Sequence, residues 1–173
     1  MEVIMNLAHI HLMINHFPVI GIAFGILLLI WAILRKNEEV KRASFGIFVI
    51  IALIALPVYF TGEPAEEIVE HLPGVKESII EKHEEMALIS LVFIEILGAI
   101  AAAGLFLSFR SKPFISWLVA ALLILSVVSG GLIAKTANIG GQIRHTEIRK
   151  DFHYQNHIDE HDYDDDDDEH DDD

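Results

Sequence analysis

Residues 6–34 read "NLAHIHLMINHFPVIGIAFGILLLIWAIL": three histidines, His9, His11 and His16, followed by eighteen residues that carry no charge. An uncharged helix of that length falls within the ~17 to 25 residues that cross a ~30 Å hydrocarbon layer. Three more apolar runs follow, at residues 45–60, 86–107 and 114–134, and like the first (17–34) they contain no Lys or Arg. Barrel strands would be about half as long and would alternate apolar with polar residues, so the runs predict helices. The first run has no basic stretch ahead of it and no small-residue exit, and it ends on Arg35-Lys36, which predicts a retained span and not a cleaved signal. The expected fold is all-α: an integral membrane four-helix bundle over residues 1–150, followed by a polar tail over 151–173.

Composition supports this and excludes several chemistries. Hydrophobic residues make up 53% of the 173, and the mean hydropathy is +0.44 even with the tail included. Cysteine is absent, which removes disulfides, thiolate-held clusters, thiolate zinc sites and covalently attached haem. Any cofactor must be held by His, Met, carboxylate or backbone. The net charge of −14 belongs to the tail: residues 159–173 hold twelve of the 26 acids, and without them the chain stands at −2. That stretch, "DEHDYDDDDDEHDDD", is self-repelling and low in complexity, and predicts disorder.

Basic residues orient the bundle. Arg35, Lys36, Lys41 and Arg42 crowd the short link between the first two runs, and Arg110 and Lys112 occupy the link between the last two. The positive-inside rule puts these links in the cytoplasm and both termini outside, in the inner membrane. The outer loop, "TGEPAEEIVEHLPGVKESIIEKHEE" (residues 61–85), predicts one or two short helices over the bundle mouth, the last stretch running into the third span. After the fourth span, "AKTANIGGQIRHTEIRKDFHYQNH" (134–157) reads as an ordered polar segment.

Under this topology all ten histidines (9, 11, 16, 71, 83, 145, 153, 157, 161 and 170) fall on the outer side. His16 and His83 each open an inward span at comparable depth, and histidines on facing helices of a bundle are a common way to hold a haem or a metal. In a helix over residues 9–16, His9 and His16 share a face and His11 points elsewhere. A faint repeat accompanies this: His16 and His83 lie 67 apart, and His71 and His145 lie 74 apart, the latter two each about ten residues after an outward span closing on Thr61-Gly62 or Thr136-Ala137. Such spacing suggests two related hairpins with a site between them. The plain alternative is that a histidine at a membrane interface simply anchors there. The tail histidines, spaced among aspartates, read as a solvated surface or a loose divalent-ion binder. In "GGQIRHTEIR" (140–149) the glycines allow a turn or a close approach, and Arg144 beside His145 could clamp a carboxylate or propionate. Glu95 stands alone as an acid in the interior of an apolar run, so it must be protonated or paired, either for proton handling or in a hydrogen bond to Ser126 or Ser129.

These motifs, "HLMINHFPVIG", "TGEPAEE", "KHEE" and "GGQIRH", resemble a widespread group of small bacterial four-span membrane proteins, marked by His-Phe-Pro at the first span and Gly-Gly-x-Ile-Arg-His after the fourth. The resemblance covers about residues 9–148. It implies a four-helix membrane bundle found near redox proteins, with haem bound through its histidines. The group's usual pattern has a His-Pro shortly before the His-Phe-Pro; here His11-Leu12 or His9-Ile10 takes that place without the proline.

Three functions are open to such a chain. The first is a small b-type cytochrome or haem-bearing subunit that transfers electrons at the outer face, with His16 and His83 as axial pair, His145 as substitute, and Arg144 facing the propionates. Further histidines, His9, His11 and His71, could complete one haem site or support a second. The second is copper, zinc or iron held by three or four of the same histidines with Glu63 or Glu84, although no zinc-enzyme spacing is present. The third is a cofactor-free subunit of a larger membrane complex. In each case an accessory role is expected over stand-alone catalysis. The expected partners are membrane lipids and an outer redox partner such as a basic cytochrome drawn by the acidic tail, and nothing calls for nucleic acid.

Overall fold

A computed structural model describes residues 2–110, 116–145 and 148–149, with side chains from residue 7 onward. The expected acidic tail, its histidines His153, His157, His161 and His170, and the Lys112 link lie outside them. Every regular element among the described residues is a helix: α1 (Glu2–Ile14), α2 (His16–Leu34), α3 (Glu38–Phe60), α4 (Gly62–Val69), α5 (Glu77–Phe109) and α6 (Ser116–Arg144). Four stretches are long and apolar enough to cross a membrane: Leu7–Leu34, which joins most of α1 to α2, Glu38–Val69, which joins α3 to α4, and α5 and α6. The chain is therefore a multi-pass membrane protein.

The spans pack as a ring, α2 against α3, α3 against α5, α5 against α6, and α6 back against α2. One half of the core is built from Leu29, Phe45, Phe48, Leu97, Ala101, Val119 and Leu122, and the other from Ile22, Ile51, Ala52, Ala55 and Ile94. Outward-facing positions such as Phe24, Leu27, Leu53 and Ile124 are apolar and exposed, as a lipid solvent requires. The α3 and α5 backbones touch at Gly98, where a methyl group would collide with the Cβ of Ala52. Ser44 Oγ donates to Gly25 O across α3 and α2 at 2.9 Å. Small residues and backbone-directed hydroxyls of this kind hold helices together where burying apolar surface gives no advantage over lipid.

The two ends of the bundle differ. At one end α2 closes in a tight turn with Lys36 in the left-handed region (φ 52°), where Asn37 N–H donates to Ala32 O at 3.0 Å and Lys36 N–H to Ile33 O at 3.2 Å. Asn37 then caps α3, its side chain accepting from Val40 N–H at 3.1 Å. Cations here rest on aromatic rings: Arg35 on Trp31, Arg42 on Phe109 and Arg110 on Phe106. This is the basic, aromatic end expected of the short links.

At the opposite end the helices run further than their apolar cores. Helix α5 starts at Glu77 and is about 50 Å long, well beyond the hydrocarbon thickness, so its first turns project. Helix α6 runs through Gly140-Gly141 to Arg144, where the sequence left room for a turn. The break between α1 and α2 falls at Asn15, three residues before Pro18, which has no N–H for the Ile14 carbonyl and crowds it.

Candidate functional site

Helix α1, the α3–α4 junction, the start of α5 and the end of α6 meet at this second end. At the last turn of α3 Pro57 O accepts from Thr61 N–H at 3.0 Å, and the Thr61 hydroxyl lies 2.7 Å from Pro57 O and 3.1 Å from Val58 O. His11 of α1 completes the set, its Nδ1 lying 3.0 Å from Val58 O and 3.3 Å from Thr61 Oγ1. A carbonyl oxygen can only accept, so Nδ1 carries the proton and donates, and the Nε2 lone pair is left open.

His83 of α5 repeats the device on α6. Its Nδ1 lies 3.1 Å from Thr136 O, which again fixes the proton on Nδ1 and opens Nε2. Thr136 Oγ1 bonds back to Leu132 O at 3.1 Å, just as Thr61 bonds back to Pro57 O, and it also meets Met86 O at 3.1 Å and Ser90 Oγ at 2.8 Å. The approach depends on Gly140: a Cβ there would lie 2.9 Å from His83 Cε1 and 3.1 Å from Nδ1. In both places an imidazole from one helix reaches a backbone carbonyl near a threonine on another. The pairs of the expected repeat, His16 with His83 and His71 with His145, are not the ones that match: the matching residues are His11 with His83 and Thr61 with Thr136.

The two imidazoles are close enough to interact electrostatically. Both are half-buried. Asn15, four residues beyond His11 and bonded to it by Asn15 N–H to His11 O at 2.9 Å, lies on the same face. Its Oδ1 is buried with no hydrogen-bond partner among the described residues. Glu66 on α4 stands within electrostatic reach of the carboxyls of Glu84 on α5, Glu63 and Glu70.

The other candidate residues are more exposed than this pair. His16, the first residue of α2, is exposed, as are His9, His145 and Arg144. His71 is exposed and 3.4 Å from Glu70 Oε1. Among the described residues no three His, Asp or Glu side chains are arranged to hold a metal ion. Glu95 does not find the expected serines: Ser126 Oγ donates to Leu123 O in its own helix at 2.8 Å, and among the described residues neither Glu95 Oε1 nor Ser129 Oγ has a partner.

The sequence reading passed over Asn15 and Arg149. Arg149 is buried and spends its guanidinium on three carbonyls, Gln142 and Gly74 at 2.8 Å and Ile143 at 3.0 Å. It therefore caps the C-terminus of α6 and straps it to the loop before α5. No family model, characterised protein or solved structure matches the chain.

Proposed function

We propose that the chain is a small b-type haem protein of the membrane, its iron held between His11 and His83. The observation that supports this is the matched state of the two imidazoles: each donates through Nδ1 to a backbone carbonyl and so presents an unprotonated Nε2. Metal-bound histidines are almost always oriented in this way. A porphyrin already supplies four nitrogens and asks only two ligands of the protein, which suits a site of two histidines better than an open-shell metal ion wanting three or four. The orphaned Asn15 Oδ1 beside His11 also fits a site that expects an occupant.

When bound, the haem supplies one-electron exchange. The protein's part is to fix both imidazole tautomers through Val58 O and Thr136 O, and to surround the site with apolar helices. Arg144, exposed on the last turn of α6, is the cation for the propionates.

The test is a reduced-minus-oxidised visible spectrum of the protein purified in detergent after expression with haem supply. A b-type band is expected in the wild type and in His16→Ala, and its loss is expected in His11→Ala and in His83→Ala. A colourless wild type carrying stoichiometric copper or zinc would replace this reading with a metal site. A wild type with neither would leave a structural subunit. A band that survives His11→Ala and disappears in His16→Ala would move the ligand to α2.

A further inference from the structure

Helix α6 does not stop where its sequence invites it to. Glycine is among the poorest helix formers, yet α6 continues through Gly140 and Gly141 to Arg144. The chain then folds back on this turn. His145 N–H donates to Gly141 O at 3.0 Å, and Ile148 Cδ1 lies 3.7 Å from where a Gly141 Cβ would stand. Arg149 closes the fold: buried, it gives its guanidinium to Gln142 O and Ile143 O, which lie too near the helix end for a following turn to bond them, and to Gly74 O in the loop before α5. The turn so held is one wall around His83. A Cβ on Gly140 would lie 2.9 Å from His83 Cε1, and Thr136 O, which orients the ring, belongs to the residue one helical turn before Gly140.

We propose that Arg149 is a positioning residue for His83. By keeping the last turn of α6 helical and tied to the loop that leads into α5, it holds the imidazole on Thr136 O with the proton on Nδ1. One cation joins the two pieces of chain between which the ring sits. The shape of the cation matters, because a planar guanidinium meets three carbonyls at once and an ammonium on a single stem does not. The orientation of His83 follows from these contacts with or without haem, and only the effect on haem affinity rests on the reading above.

Nitrogen NMR of the imidazoles tests this in the full-length protein, in detergent, without haem and at a pH where histidine is neutral. His83→Ala and His11→Ala assign the two rings. In the wild type both should show the Nδ1-protonated tautomer. In Arg149→Gln and Arg149→Lys the His83 signals should shift toward a mixture of tautomers, while those of His11, held by α3, stay in place. Gly141→Ala added to Arg149→Gln should bring the His83 signals part of the way back, since alanine favours the helical turn and has room beside Ile148. With haem supplied, Arg149→Gln should bind it about tenfold more weakly than the wild type. Unchanged His83 signals in Arg149→Gln would overturn the proposal. Equal shifts of His11 and His83 would overturn it too, because a general loosening of the bundle moves both. Signals that move as expected in a protein that never binds haem would support the proposal and remove the haem reading alone.

Discussion

His83 shows how much a single side chain draws on its surroundings. Its ring is oriented by one carbonyl, Thr136 O, and admitted by one missing methyl, at Gly140. Gly140→Ala should therefore push the imidazole off its carbonyl. Since alanine is the better helix former by about 1 kcal/mol, α6 itself should not weaken. The expected result is unchanged thermal stability in detergent with haem affinity lowered roughly 10 to 100-fold, the usual cost of disturbing the hydrogen bond behind a ligand. Equal haem affinity in the two proteins would count against His83 as a ligand. Thr136→Val tests the adjoining clasp. It leaves the fully buried Ser90 hydroxyl without its 2.8 Å partner, a loss of about 1 to 3 kcal/mol in a denaturant titration, and Ser90→Ala in the same chain should restore part of it.

Among the helices, position decides whether a glycine matters. Gly98 of α5 faces the Cβ of Ala52 on α3, a group with no rotamer to change, so Gly98→Ala must spread the two helices and should cost about 1 to 3 kcal/mol. Gly46 of α3 has open space where its Cβ would go, and Gly46→Ala should be neutral or slightly stabilising. Similar loss at both positions would mean that α3 and α5 are not in the contact described. The end of α6 depends on Arg149. Arg149→Lys keeps the charge but cannot reach three carbonyls in a planar fork. Hydrogen exchange should then quicken in the loop around Gly74 and in the last turn of α6, with the spans unchanged.

Across the whole bundle, the two ends carry different groups. Arg35, Arg42 and Arg110 sit on aromatic rings at one end, and the His11–His83 pair lies at the other. A thiol at Asn37→Cys and one at Leu72→Cys should therefore react with a membrane-impermeant reagent from opposite sides. By the positive-inside rule Leu72→Cys should be the one labelled in intact cells. Labelling of both from one side would break the four-span topology.

Much of this was legible without coordinates. Four long runs without Lys or Arg, too long and too continuous for barrel strands, and the basic links between them made an all-helical membrane bundle and its histidine-rich end legible, because hydrocarbon tolerates only helices and closed barrels, whose backbone groups are internally bonded. The sequence drew attention to His16, which begins a span, and the tertiary structure distinguishes His11. A histidine's role depends on which carbonyl its Nδ1 reaches, and Val58 O and Thr136 O lie 47 and 53 residues away along the chain. Glu95 teaches the same point from the other side. Its place in an apolar run marked it as costly, but only the packing of α5 against α3 and α6 decided that its Oε1 finds no partner among the described residues, since side-chain periodicity gives a face and not the neighbour that covers it.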